Sequence, residues 1–292
     1  MRRAARVVAH AKVNLVLRVL AREHGGYHGI ETLFARLALG DEVVVRVDGE
    51  GRSIDCRGAD TGPDEHNLAL RAAVAYAGAA GWPHGFAIEI DKHIPAGGGL
   101  GGGSADAGAV LRALDALSPR PVGAPALYRL AARLGSDVPY LTSTDALALA
   151  WGRGERMLAL APPTPRAVVL AFPGFGVSTA DAYRWVDDAR SPDYAAGPSR
   201  LELAQLSDWH AIAGLAANDF EQPVSRRHAE IATLTAGLRK AGAQVAMLSG
   251  SGSTVFGVFD QWPSGDALRA LGAVPHVITK TLSAVPAVEL ID

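Results

Sequence analysis

The segment Pro95-Ala-Gly-Gly-Gly-Leu-Gly-Gly-Gly-Ser104 constrains the fold of this chain more than any other. Six glycines fall within the seven residues 97–103. Before them comes the alternating stretch Phe86–Asp91, which reads as a half-buried strand. After them comes Ala105–Leu117, with Leu111, Leu114 and Leu117 at helical spacing. Glycine loses more backbone freedom on folding than any other residue, so such a run ahead of a strong helix is costly unless the backbone must approach something closely. Successive glycines let backbone N–H groups converge, and the following helix adds its positive end. The product is an anion site suited to phosphate. Ser104 adds a hydroxyl that reaches a phosphate oxygen or a magnesium ion. A Walker A loop needs Gly-Lys-Ser/Thr at its end, which is absent. A dinucleotide fingerprint fits Gly97, Gly99 and Gly102, but the second strand with an acidic residue about 20 positions on is replaced by a helical stretch, Ala124–Leu134.

The rest of the chain alternates strand-like and helix-like text. Arg6–Val19 and Asp41–Val47 read as strands, the latter ending in the turn-rich Asp48-Gly49-Glu50-Gly51. Asn67–Ala80 reads as a helix that stops before Gly81-Trp82-Pro83. The proline-rich Leu160–Arg166 is the best linker, dividing residues 1–160 from 161–292. Beyond it, Ala167–Phe172 has the pattern of a buried strand. A helix at Arg226–Ala241, the stretch Val245–Phe259 and a strand near Val274–Thr281 follow. This order suits a ferredoxin-like second unit, and the whole is α+β.

Composition excludes several functions. The 28 basic and 30 acidic residues are interspersed, with no basic block to track a nucleic-acid backbone. Cys56 stands alone, so it forms neither an internal disulfide nor a CxxC metal site. His24 and His28 bracket glycines and do not define a zinc site. No Gly-x-Ser-x-Gly elbow of a hydrolase occurs. No run reaches the roughly 18 apolar residues of a membrane span, and the basic start at Met1–Lys12 lacks the apolar core of a signal peptide. A cytoplasmic protein that binds neither membrane nor nucleic acid is expected.

Five segments in order carry a more specific signal. They are Ala11-Lys12-Val13-Asn14-Leu15, Gly26-Tyr27-His28, the glycine loop with Ser104-Ala105-Asp106, Leu134-Gly135-Ser136-Asp137-Val138-Pro139, and Leu248-Ser249-Gly250-Ser251-Gly252-Ser253. The set resembles the GHMP kinases over nearly the whole chain, in particular the branch acting on a cytidine-diphosphate-bearing polyol of the non-mevalonate isoprenoid route. That resemblance implies a two-domain fold, with an N-terminal unit like domain 2 of ribosomal protein S5 and a C-terminal ferredoxin-like unit. It also implies transfer of the terminal phosphate of ATP, with Mg2+, onto the 2-hydroxyl of that small molecule.

Spacing alone leaves Asp137 open between a helix-start cap and a general base, and Lys12 between a snorkelling edge-strand lysine and a buried partner. The resemblance makes Asp137 the base and Lys12 its partner. By the same resemblance Asn14 holds substrate, Tyr27 stacks on the cytosine, His28 bonds its edge, and Tyr183 forms the second aromatic wall where Phe is usual. Thr179 falls near the diphosphate. Asn67, Lys92, Pro95, Gly97, Gly98, Gly99, Leu100, Gly101, Gly102, Gly103 and Ser104 build the ATP site, with magnesium near Ser104. Gly250, Ser251 and Gly252 close over the phosphates. Two departures stand out: Ala105 replaces a usual second serine, and Gly25 replaces an aspartate. A homoserine- or mevalonate-type kinase, or a silent nucleotide-binding regulator, are the competing readings. Monomer and homodimer both remain open.

Overall fold

The computed structural model describes residues 4–22, 26–47, 49–59, 62–191 and 202–291. Met1–Arg3, His24, Gly25 and Asp48 of the sequence reading lie outside them. The first half of the chain runs β1 (Ala4–Arg22), β2 (His28–Arg46), β3 (Arg52–Arg57), α1 (Leu68–Ala80), β4 (Phe86–Asp91), α2 (Gly102–Leu117), α3 (Ala124–Leu134), α4 (Val138–Thr142), β5 (Leu147–Gly152) and β6 (Arg156–Leu160). The second half runs β7 (Ala167–Ala171), α5 (Thr179–Ala189), α6 (Trp209–Leu215), β8 (Ala217–Asn218), α7 (Glu221–Ser225), α8 (Ala229–Lys240), β9 (Val245–Leu248), β10 (Val255–Phe259), α9 (Gly265–Leu268), β11 (His276–Lys280) and β12 (Glu289–Ile291).

The larger sheet is built on the long antiparallel pair β1–β2, with β4 and β3 beyond β2, and β5 and β6 paired from the other stretch of β2. Reading a strand only at residues 41–47 captured the end of β2. From Thr32 to Leu37 β2 is buried residue after residue, so it lacks the alternation that marks a half-exposed strand. β8 and β12, from the second half of the chain, also pair with β1.

The smaller sheet is antiparallel in the order β11-β7-β10-β9. Numbered within that sheet, the strands lie fourth, first, third, second, with α5 and α8 between the first two and α9 before the last. This is the ferredoxin-like arrangement. Alternation along its strands divides two cores. Val168, Leu170, Met247 and Phe256 join the core of the larger sheet, while Val169, Ala246, Leu248 and Val255 pack with Ile231, Leu234 and Leu238 of α8. Ala246 apart, each such side chain contributes roughly 1.5–3 kcal/mol through burial, so both faces tie the sheet into the molecule.

Helix α2 starts at Gly102, three residues before the leucine pattern announces it. Gly101, at φ 76°, sits in the left-handed region as its N-cap. Farther along, a Cβ at Gly108 would lie 2.5 Å from the Leu141 carbonyl oxygen, so α2 presses directly on α4. Among the described residues no helix is long and apolar enough to cross a membrane.

Candidate active site

A cavity of about 570 Å³ opens where β1, the glycine loop, α4 and the smaller sheet meet. Lys12 forms its floor. β1 and β2 both have side chains from the core around it, and Lys12 is only 3% exposed. A buried ammonium needs partners. Lys12 Nζ donates to Asn14 Oδ1 at 2.8 Å and lies 3.2 Å from Asp137 Oδ2. Asn14 in turn donates to Thr32 Oγ1 at 2.8 Å, and Thr32 donates to the Val16 carbonyl at 2.7 Å. Lys12 and Asn14 share a strand face, as their two-residue spacing requires. Asp137 occupies the N-cap position of α4, yet its side chain makes no capping bond. Its carboxylate faces the cavity and the lysine instead.

The glycine loop is fastened by its carbonyl groups. The Leu100 oxygen accepts from Lys12 N at 3.0 Å, the Gly98 oxygen from Thr254 N at 3.2 Å, and the Gly99 oxygen from Ser249 Oγ at 3.1 Å. α2 has no side-chain cap, so the N–H groups of its first turn, unsatisfied within the helix, give the cavity a positive wall. Gly97 through Ser104, with Pro95, line that wall. Gly99 has φ +76°, and a Cβ there would meet the Ser249 carbonyl oxygen at 2.1 Å; the two loops therefore approach backbone to backbone. Gly250 and Ser251 line the cavity from the opposite side, and Ser251 Oγ lies 3.1 Å from Thr179 Oγ1. Gly252 follows in the same loop with φ 100°.

Lys92 also lines the cavity, but its charge is committed. Its Nζ lies 2.5 Å from Asp41 Oδ2 and 2.6 Å from Asp106 Oδ2, all three side chains being at most 5% exposed. Asp41 Oδ1 accepts from the backbone N–H groups of His93 and Ile94 at 2.5 and 2.7 Å, fixing the entry to the loop. Burial works against the Lys92 ammonium; Asp106 and Asp41 outweigh it and hold Lys92 above the usual lysine range. Burial pushes Asp106 up to about 7 against the pull of Lys92. Asn67 lines the cavity too, while its Oδ1 caps α1 by accepting from Ala69 N at 2.9 Å.

The aromatic residues are arranged differently from a simple sandwich. Tyr183 lines the cavity, stacked on His28 with ring centroids 5.1 Å apart and set edge-on to Phe220 at 4.9 Å. Burial and the nearby Asp137 push its hydroxyl up to about 12. His28 Nε2 lies 2.7 Å from Asp187 Oδ1. Tyr27 is 60% exposed at the rim, with the Arg153 guanidinium 4.0 Å from its ring centroid. The structure thus gathers Lys12, Asn14, Asp137, Thr179, Tyr183 and both glycine loops around one cavity. It places His28 behind Tyr183 and Tyr27 outside the wall.

Sequence reasoning missed Asp41, Asp106, Arg153, Asp187 and Phe220. Asp106 stood inside the quoted motif, and a buried Lys92 needing acidic partners was the available signal. The other four come from distant elements and carry no local mark.

The chain matches the model of the GHMP kinases N terminal domain over residues 67–153, and that of the GHMP kinases C terminal over residues 201–277. It is 39% identical over 252 residues to the 4-diphosphocytidyl-2-C-methyl-D-erythritol kinase of Pelotomaculum thermopropionicum, covering 86% of this chain and 88% of that one. The enzyme of the same name from Deinococcus radiodurans is 40% identical over 254 residues, 86% and 82% of the two chains. A crystal structure of 4-(cytidine 5'-diphospho)-2C-methyl-D-erythritol kinase superposes with a TM-score of 0.78 at 38% identity, covering 94% and 98% of the two chains. Homoserine kinase from Cytophaga hutchinsonii, 18% identical with a TM-score of 0.69 over 100% of this chain and 98% of its own, shares the fold. With an uncapped glycine-rich helix start, a Lys–Asp pair and relatives of this kind, the chain belongs to the GHMP kinase family, among the 4-diphosphocytidyl-2-C-methyl-D-erythritol kinases.

Proposed function

We propose that this kinase transfers the γ-phosphoryl group of ATP to the 2-hydroxyl of 4-diphosphocytidyl-2-C-methyl-D-erythritol, a step toward isoprenoid precursors. The observation that carries this reading is the Lys12–Asp137 pair, 3.2 Å apart, in the same cavity as the uncapped start of α2. Phosphoryl transfer asks for positioning, charge neutralisation and a nucleophile relieved of its proton. The glycine loop cradles the phosphates through its N–H groups. Asp137 accepts the proton of the substrate hydroxyl, and Lys12 keeps that carboxylate ionised and oriented. Asn14 fixes Lys12 and contacts the acceptor beside it. Lys92 shapes the nucleotide wall, and Asn67 stands at its far end.

Two oxygens suit a magnesium ion: the Ser104 hydroxyl, and Asp106 Oδ1, a buried atom without a hydrogen-bond partner. Magnesium commonly takes one or two protein oxygens together with substrate phosphates and water. When bound, the ion offsets phosphate charge. Among the described residues no group of three or more His, Cys, Asp or Glu side chains forms a metal cage.

For the cytidine end, Tyr183 supplies a ring in the cavity, and Tyr27 supplies a second ring at the rim once it turns from Arg153. Thr179 and Ser251 stand between this end and the phosphates. A coupled ADP-release assay with Mg-ATP and a panel of the cytidine compound, mevalonate, homoserine and galactose tests the reading. Turnover confined to the cytidine compound is expected. Turnover of another panel member instead would sink the acceptor assignment, and ATP binding without any turnover would leave a nucleotide-binding regulator.

A further inference from the structure

Asn218 stands outside the cavity wall, yet it joins two parts of the site. It belongs to β8, which runs parallel to β1 with Asn218 opposite Leu17. Its Nδ2 donates to two carbonyl oxygens of the second glycine–serine loop, Leu248 at 2.8 Å and Gly250 at 2.8 Å. Its Oδ1 accepts from Phe220 N at 2.9 Å. Both amide hydrogens and the amide oxygen are therefore in use. The next residue anchors this amide to β1: Asp219 N donates to the Leu17 carbonyl at 3.0 Å, and Asp219 Oδ2 accepts from Val19 N at 2.8 Å.

Gly250, held by Asn218, rests on the catalytic floor. A Cβ built on it would lie 3.3 Å from Lys12 Nζ, 3.6 Å from Asn14 Oδ1 and 3.2 Å from the Gly99 carbonyl oxygen. A closed ring of contacts results, running from β1 through Asn218 and Gly250 back to Lys12 on β1. Long lysine side chains have several rotamers to lose. A backbone segment packed against the ammonium removes the space for alternatives.

We infer that Asn218 is a positioning residue: by gripping the Gly250 carbonyl it seats the second glycine–serine loop against Lys12 and keeps that ammonium directed at Asp137. The inference rests on the reading of Lys12 and Asp137 as the catalytic pair. Asparagine suits the task because one planar amide offers two donors. Aspartate has the same shape, offers no donor and sets a carboxylate against two carbonyl oxygens. Serine offers a single, shorter donor.

The test compares Asn218→Asp and Asn218→Ser with wild type, using steady-state kinetics on Mg-ATP and the cytidine acceptor after circular dichroism has confirmed folding. The expected result for Asn218→Asp is a fall of at least about tenfold in kcat at saturating substrates, with a rise of only a fewfold in KM for ATP. Asn218→Ser should fall between. In a Lys12→Met background the Asn218→Asp change should cost less than about threefold, because the group it positions is gone. A folded Asn218→Asp enzyme within about threefold of wild-type kcat overturns the inference, as does an equal loss with and without Lys12. If Asn218→Asp does not fold, Asn218→Ser is judged by the same kinetic split. Full activity in Asp137→Asn would sink the catalytic pair itself, a result independent of any Asn218 variant.

Discussion

Lys92 Nζ and Asp106 Oδ2 meet at 2.6 Å beneath the first turn of α2, with Asp41 completing the group from β2. Replacing Lys92 with Met leaves two carboxylates facing each other in a site at most 5% exposed. Removing one partner of a buried ion pair costs about 3–5 kcal/mol. At roughly 2–4 °C per kcal/mol for a protein near this size, thermal denaturation should show a drop of about 6 °C or more. KM for ATP should rise with it, because Asp41 also holds the N–H groups of His93 and Ile94 ahead of the loop. An unchanged melting temperature would show that the triad contributes no stability.

Asp137 lies 3.2 Å from Lys12, and its side chain makes no capping bond to α4. Asp137→Asn keeps its shape and removes its basicity. Loss of a general base costs typically 10²–10⁴-fold, so kcat should fall by about that range. KM for ATP should stay within about threefold, since the proposed nucleotide contacts lie on the other wall. Measured turnover near that of wild type would exclude Asp137 as the base.

Much of the cavity lining was legible because it stands in short local motifs. The glycine run, Ser104 and Asp137 each stand within a short motif, and the two-residue spacing of Lys12 and Asn14 puts them on one face of β1. What remained hidden depends on contacts between distant residues. Asp41 reaches Lys92 across 51 residues, and His28 reaches Asp187 across 159. The middle of β2 was hidden for a different reason. Burial on both faces erased the period of two that reveals a strand. The helical content of Gly102 and Gly103 was likewise invisible, because their propensity argues against a helix, and Gly102 lies close to Ile94 and Lys92, residues outside the helix itself.

His10 gives the stability a measurable dependence on pH. It is 5% exposed on β1. Burial, with Arg36 and Arg112 nearby, lowers its pKa from 6.5 to about 4. Below 6.5 the unfolded chain therefore takes up a proton that the folded chain refuses, so stability declines as pH falls from 6.5 toward about 4. Above 6.5 the residue has no such effect. The ceiling on the loss is about 3 kcal/mol. Urea denaturation of wild type and His10→Gln from pH 7 to 4 should show a shallower decline for the variant. Parallel curves would mean that other groups carry the acid sensitivity.

Gly97 and Gly99 permit a separation of backbone strain from close approach. Both have left-handed φ, +70° and +76°. A Cβ at Gly97 meets nothing within 4 Å, while one at Gly99 would lie 2.1 Å from the Ser249 carbonyl oxygen. Gly97→Ala carries only the left-handed penalty of about 1–2 kcal/mol. Gly99→Ala carries that penalty and also forces apart the two loops proposed to enclose the phosphates. Its kcat/KM for ATP should fall by at least about tenfold more than that of Gly97→Ala, a difference of about 1.4 kcal/mol in transition-state stabilisation. Isothermal titration with a non-hydrolysable ATP analogue should show the same ranking in affinity. Equal effects at both positions would mean that the glycines serve only the turn, and that the contact between the loops contributes nothing to nucleotide binding.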